Sequence, residues 1–157
     1  MEKTVQVLHV DDEPSLTEVA VDFLEQEHAR IEVLSERDVG DALRRLEKNQ
    51  VDCIVSEYDL PDTDGLEFLE AVREDHPDLP FILFTGKGSE EIASEAISSG
   101  VTDYLDKNTD DQLTVLADRI TDAVSRHRSE RNLRKSNERI RRLYGAVTDA
   151  VLVLDEE

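Results

Sequence analysis

Six polar residues stand just after short apolar runs. Asp11 and Asp12 follow Val5 to Val10, Glu57 and Asp59 follow Cys53 to Val55, Thr85 follows Phe81 to Phe84, and Lys107 follows Val101 to Leu105. Clustered carboxylates repel one another unless a hard divalent cation neutralises them, and Mg²⁺ favours one or two carboxylates, waters and substrate phosphate oxygens. Asp11 and Asp12 suit such a cation. Lys107 offers a compact point charge to a phosphoryl oxygen, and the Thr85 hydroxyl can donate to another. Together the set describes a site for a carboxyl phosphate.

The elements that must position these residues alternate. Five apolar, β-branched runs (Val5 to Val10, Ile31 to Leu34, Cys53 to Val55, Phe81 to Phe84, Val101 to Leu105) are separated by segments with apolar spacing of three and four, as in Leu16, Val19, Ala20, Phe23, Leu24 and in Val39, Ala42, Leu43, Leu46. Strands apolar on both faces and joined by helices require a parallel sheet covered on both sides, with right-handed crossovers. The fold class expected is therefore α/β, a doubly wound five-stranded parallel sheet. In such sheets ligands bind outside the carboxyl ends of the strands, where all six residues lie.

The pattern resembles the receiver domain of response regulators in two-component phosphorelays. That family pairs two acids after the first strand with a phosphorylated Asp after the third, a Thr or Ser after the fourth and a Lys after the fifth. The likeness covers roughly residues 5 to 125 and implies the flavodoxin-like strand order 2-1-3-4-5. By resemblance, Asp11 and Asp12 fall on the metal-binding acids. Thr85 in Phe84-Thr85-Gly86 falls on the hydroxyl that moves on activation, Lys107 in Asp103-Tyr104-Leu105-Asp106-Lys107 on the family's lysine, and Tyr104 on its aromatic switch. Pro61 with Asp64-Gly65 matches the loop after the third strand, which puts the phosphoacceptor position at Glu57. Glu57 would also be a metal ligand, and Asp59 falls on the residue whose carbonyl completes the metal shell. The implied cofactor is Mg²⁺, and the implied partners are a sensor histidine kinase or a downstream output domain.

Two departures from the family pattern stand out. Asp attacks phosphorus in line at near-attack distance, and the extra methylene of Glu57 carries the carboxylate past that point. The same methylene brings negative charge closer to Lys107 and Thr85, so two readings stay open. Either Glu57 imitates the phosphorylated state, or it keeps a metal or a salt bridge with Lys107 in a domain that no longer switches. The second departure is Asn108, where many receivers carry a cis-proline; the loop that orients Lys107 is expected to differ.

A net charge of −20 argues against nucleic acid or anionic membrane as a direct partner of this segment. With 38 acidic against 18 basic residues, arginine exceeding lysine and no Trp, the surface is of halophilic type, an ordinary acidic regulator being the alternative. One cysteine, Cys53 inside an apolar run, and the lack of a long apolar span or leader fit a cytoplasmic chain. Asp62-Thr63-Asp64-Gly65 superficially fits a phosphatase aspartate motif but follows Leu60-Pro61, and so reads as a turn and helix start. Gly86-Lys87-Gly88-Ser89 lacks the earlier Gly of a phosphate-binding loop. His9, His28, His76 and His127 are scattered and form no metal cluster.

The chain is divided into a receiver domain (1–125), an arginine-rich linker helix (126–145) and a C-terminal stretch (146–157) that resembles the start of a PAS domain and is expected to end in mid-strand. The linker places Leu133, Ile140 and Val147 at intervals of seven, which suits a homodimerising signalling helix or a solvated one; Ser136 and Asn137 weaken its seam. The function expected is a receiver module without turnover of its own. A Mg²⁺-dependent phosphatase or phosphotransferase using the same pocket, and a purely structural dimerisation module, are the alternatives.

Overall fold

The computed structural model describes residues 4–27, 30–61, 63–108 and 110–154; side chains at 14–17, 27 and 144–154 lie outside the description. The elements run β1 (Val5–Val10), α1 (Pro14–Glu27), β2 (Ile31–Glu36), α2 (Val39–Lys48), β3 (Cys53–Ser56), α3 (Gly65–Asp75), β4 (Phe81–Thr85), α4 (Glu90–Ser98), β5 (Asp103–Asp106) and α5 (Gln112–Leu154). All four strand pairings are parallel, in the order β2-β1-β3-β4-β5. The α/β class, the five strands and their order match the expectation from sequence, and α5 supplies the C-terminal helical extension.

The alternation of side chains along the strands divides the core in two. Leu8, Val10, Ile54, Phe81 and Leu83 pack against α2, α3 and α4 through Ala42, Phe68, Leu69 and Ala96. Val7, Cys53, Val55, Ile82 and Phe84 face the other way, against Leu24 of α1 and Leu116, Ala117 and Ile120 of α5. His9 is two residues from Val7 and is almost wholly buried within β1. Burial likewise raises the Cys53 thiol pKa well above its ordinary value, as expected of an inert core thiol.

Helix starts carry the capping chemistry that their sequences call for. Asp38, Asp64 and Ser89 accept from backbone amides of the first turns of α2, α3 and α4. Asp64-Gly65 is thus a turn and helix start, while Asp62 lies outside the described residues. Gly65 is required by close approach rather than by its torsion angles. A Cβ there would sit 2.7 Å from the Glu57 carbonyl oxygen and 2.7 Å from Leu83 Cδ1, and the Gly65 amide donates to the Tyr58 carbonyl at 2.7 Å. Gly65→Ala is expected to lower stability by about 1–3 kcal/mol through overpacking against backbone. Urea unfolding should show a lower midpoint with an unchanged slope.

The chain forms two compact units, Met1–Val124 and Ser125–Glu157. In the second, helix continues through Ala146 to Leu154, where the sequence reading expected an unfinished strand. A lone strand leaves its amides and carbonyls without a ladder partner, whereas a helix satisfies them internally. Within this unit Leu133, Ile140 and Leu143 are exposed.

Candidate functional site

Each of the six residues sits at a strand exit because that is where parallel strands hand over to crossover loops. β1 is followed by Asp11, whose Oδ1 accepts from the Glu13 amide at 3.0 Å where the chain turns into α1 at Pro14. Glu57 follows β3, its amide bound to the Val10 carbonyl at 2.9 Å and its carbonyl accepting from Ser56 Oγ at 2.8 Å. Thr85 ends β4 and is fully buried. The Lys107 amide donates to the Thr85 carbonyl at 3.1 Å, tying the β5 exit to the β4 exit.

These constraints bring four side chains together. Lys107 Nζ donates to Asp11 Oδ2 and to Glu57 Oε2, both at 2.5 Å. The Thr85 hydroxyl donates to Glu57 Oε1 and accepts from the Lys87 amide at 3.1 Å. Asp11 is 2% exposed and Glu57 8%, so this ion-pair network is screened little by solvent. Burial works against the Lys107 ammonium, but hydrogen bonds to Asp11 and Glu57 outweigh it and raise its pKa above 10.5. The ammonium also lies 5.5 Å from the centroid of the Phe84 ring.

Tyr104 lies beside this network rather than in it. Its hydroxyl packs so closely on Gly88 that a Cβ there would fall 1.5 Å from the oxygen. Burial raises its pKa, and a hydrogen bond with the Ser89 backbone pulls the other way. Asp12 is exposed. Asp59, also exposed, is bound at 2.8 Å by Lys87 Nζ, a pairing across two loops that the sequence did not signal. Asn108 replaces the usual proline and donates through Nδ2 to the Gly86 carbonyl at 2.9 Å, so the lysine loop is tied down by a side chain.

Whether these residues fit a divalent cation depends on their lone pairs. The buried carboxylates of Asp11 and Glu57 both close on the same ammonium, and Asp59 closes on Lys87. Among the described residues no three His, Cys, Asp or Glu side chains converge on one cation position. As arranged, the Asp11 and Glu57 carboxylates are turned onto the Lys107 ammonium.

The family model of the response regulator receiver domain matches residues 7–119. This chain belongs to that family. Receiver domains generally bind Mg²⁺ in this acidic pocket, act as signalling modules generally without turnover, and work with sensor histidine kinases and output domains. This receiver is 28% identical over 131 residues to a bacterioopsin transcriptional activator of Halobacterium salinarum, covering 83% of the chain and 19% of that protein. It is 30% identical over 132 residues to the nitrogen assimilation regulatory protein NtrX of Azorhizobium caulinodans, covering 82% and 29%. The chain thus spans less than a third of either relative. Among solved structures it resembles the signal receiver domain of an HD domain-containing protein from Pseudomonas fluorescens, with TM-score 0.73, 28% identity and coverage of 84% of this chain and 95% of that one. A CheY-like receiver from Methanospirillum hungatei, at 23% identity, TM-score 0.72 and coverage of 82% and 99%, shares the fold. Among the described residues, no helix is long and apolar enough to cross a membrane.

Proposed function

We propose that this receiver is a fixed-output signalling module in which Glu57 stands permanently where a phosphoryl group would be sensed. One observation carries the reading: the two Glu57 carboxylate oxygens are divided between the Thr85 hydroxyl and the Lys107 ammonium. Those are the hydroxyl and cation that suit a phosphoryl group's oxygens, so a longer carboxylate supplies from within the chain what phosphorylation would add. Thr85 and Lys107 are thereby satisfied without a phosphodonor, and Tyr104 is held against Gly88 beside them. The bias between two conformations equals the difference in interaction with each, and here that difference is covalently built in. Signal would leave through the face of α4 and α5 toward a kinase or output partner, with the helix beyond residue 125 as the linker to whatever follows.

Exposure to a small-molecule phosphodonor such as acetyl phosphate with Mg²⁺ tests this. Intact-mass measurement should find no phosphoryl adduct on the chain and a hydroxylamine-labile adduct on Glu57→Asp. An adduct of equal yield on both would overturn the assignment of Glu57 as a non-acceptor. Sustained release of inorganic phosphate would instead favour the phosphatase reading.

A further inference from the structure

Behind the ion-pair network, on the α1 and α5 side of the sheet, lies a small, partly open cavity of about 40 Å³ lined by His9, Val19, Ala20, Phe84, Gln112 and Leu113, together with Asp11 and Lys107. Its walls are mostly apolar, yet two polar atoms there are orphaned. His9 Nδ1 and Gln112 Oε1 are both buried and neither has a hydrogen-bond partner among the described residues. His9 is itself 2% exposed. A buried polar atom without a partner is rare in a native fold and calls for a ligand. Gln112 opens α5 and His9 lies in β1, so the two orphans belong to different elements that meet at this cavity.

We infer that this cavity is an internal hydration site, holding an ordered water that donates to Gln112 Oε1 and is hydrogen-bonded to His9 Nδ1. The size is right: a water needs roughly 10–15 Å³, so about 40 Å³ admits one with room for a second. The polarity is right as well, because a water requires two to four polar partners, and a purely apolar cavity of this size stays dry. The bridge would pin the first turn of α5 to β1 directly behind Lys107. Neither orphan takes part in the pocket chemistry above, so the inference stands apart from the role assigned to Glu57.

Water-to-protein cross-relaxation in the labelled full chain tests it. Long-lived water signals are expected at the ring protons of His9 and the side-chain amide of Gln112. Gln112→Leu, at the first position of α5, should abolish both while leaving the rest of the spectrum folded. Absence of water signals in the parent chain would overturn the inference, as would methyl shifts of Val19, Ala20 and Leu113 under xenon, the signature of a dry cavity. Persistence of the His9 signal in Gln112→Leu would overturn the bridge.

Discussion

Lys107→Met should cost about 3–5 kcal/mol of unfolding free energy at neutral pH, the usual loss when one partner of a buried ion pair is removed. The ammonium is the cation shared by Asp11 and Glu57, each at 2.5 Å, and both carboxylates are almost wholly buried. Methionine preserves the stem and its packing against Phe84 but leaves two neighbouring negative charges in a low-dielectric pocket. The sign of the pH dependence follows. Lys107 is held above 10.5 in the fold, so its stabilisation is fully present below that value and fades only as pH rises through the folded pKa. Denaturant unfolding of both chains at neutral pH measures the loss; a variant as stable as its parent would mean that the carboxylates do not depend on the ammonium.

His9 gives the second large effect. Burial lowers its pKa from 6.5 to about 4, with Asp11 opposing and Lys107 assisting. A base whose pKa is depressed in the fold stays neutral there while the unfolded chain takes up a proton. Stability is therefore intact above about 6.5 and is lost as pH falls toward 4. Across that window the loss is on the order of 3 kcal/mol, taking about 1.4 kcal/mol for each unit between 6.5 and about 4. Other carboxylates titrate in the same range, so the test is a comparison. The His9→Leu chain should lose less stability than the parent between neutral pH and pH 4 by about that amount, and parallel pH profiles would contradict it.

Why some of this was legible and some was not follows from range. The strands were readable because residues buried on both faces must be apolar, and their exits marked the pocket because loops carry what the strands cannot. That Asp11, Thr85 and Lys107 would meet at one pocket followed from their places in the chain, since only a few segments end at one edge of the sheet. That Glu57 would bring its charge near Lys107 and Thr85 was readable from its extra methylene, but which oxygen goes to which partner was not, because that depends on two loops whose positions are tertiary. Asp59 was assigned to the pocket by analogy, while its exposed carboxylate pairs with Lys87, whose loop carried no signal of that pairing in sequence. Asn108 announced an altered lysine loop without revealing that its amide would bind Gly86. The helix at residues 146–154 was misread as strand because a short apolar run such as Val151 to Leu154 suits either element, and nothing local decides between them.

The central claim, that Glu57 already occupies the place of a phosphoryl group, is tested most directly by amide spectra at Thr85, Tyr104 and Lys107 for this chain and for Glu57→Asp, each with and without beryllofluoride and Mg²⁺. The expected result is that beryllofluoride leaves the parent spectrum unchanged and moves the three amides of Glu57→Asp toward their parent positions. Beryllofluoride shifts in the parent, or parent amides that coincide with those of unliganded Glu57→Asp, would contradict it.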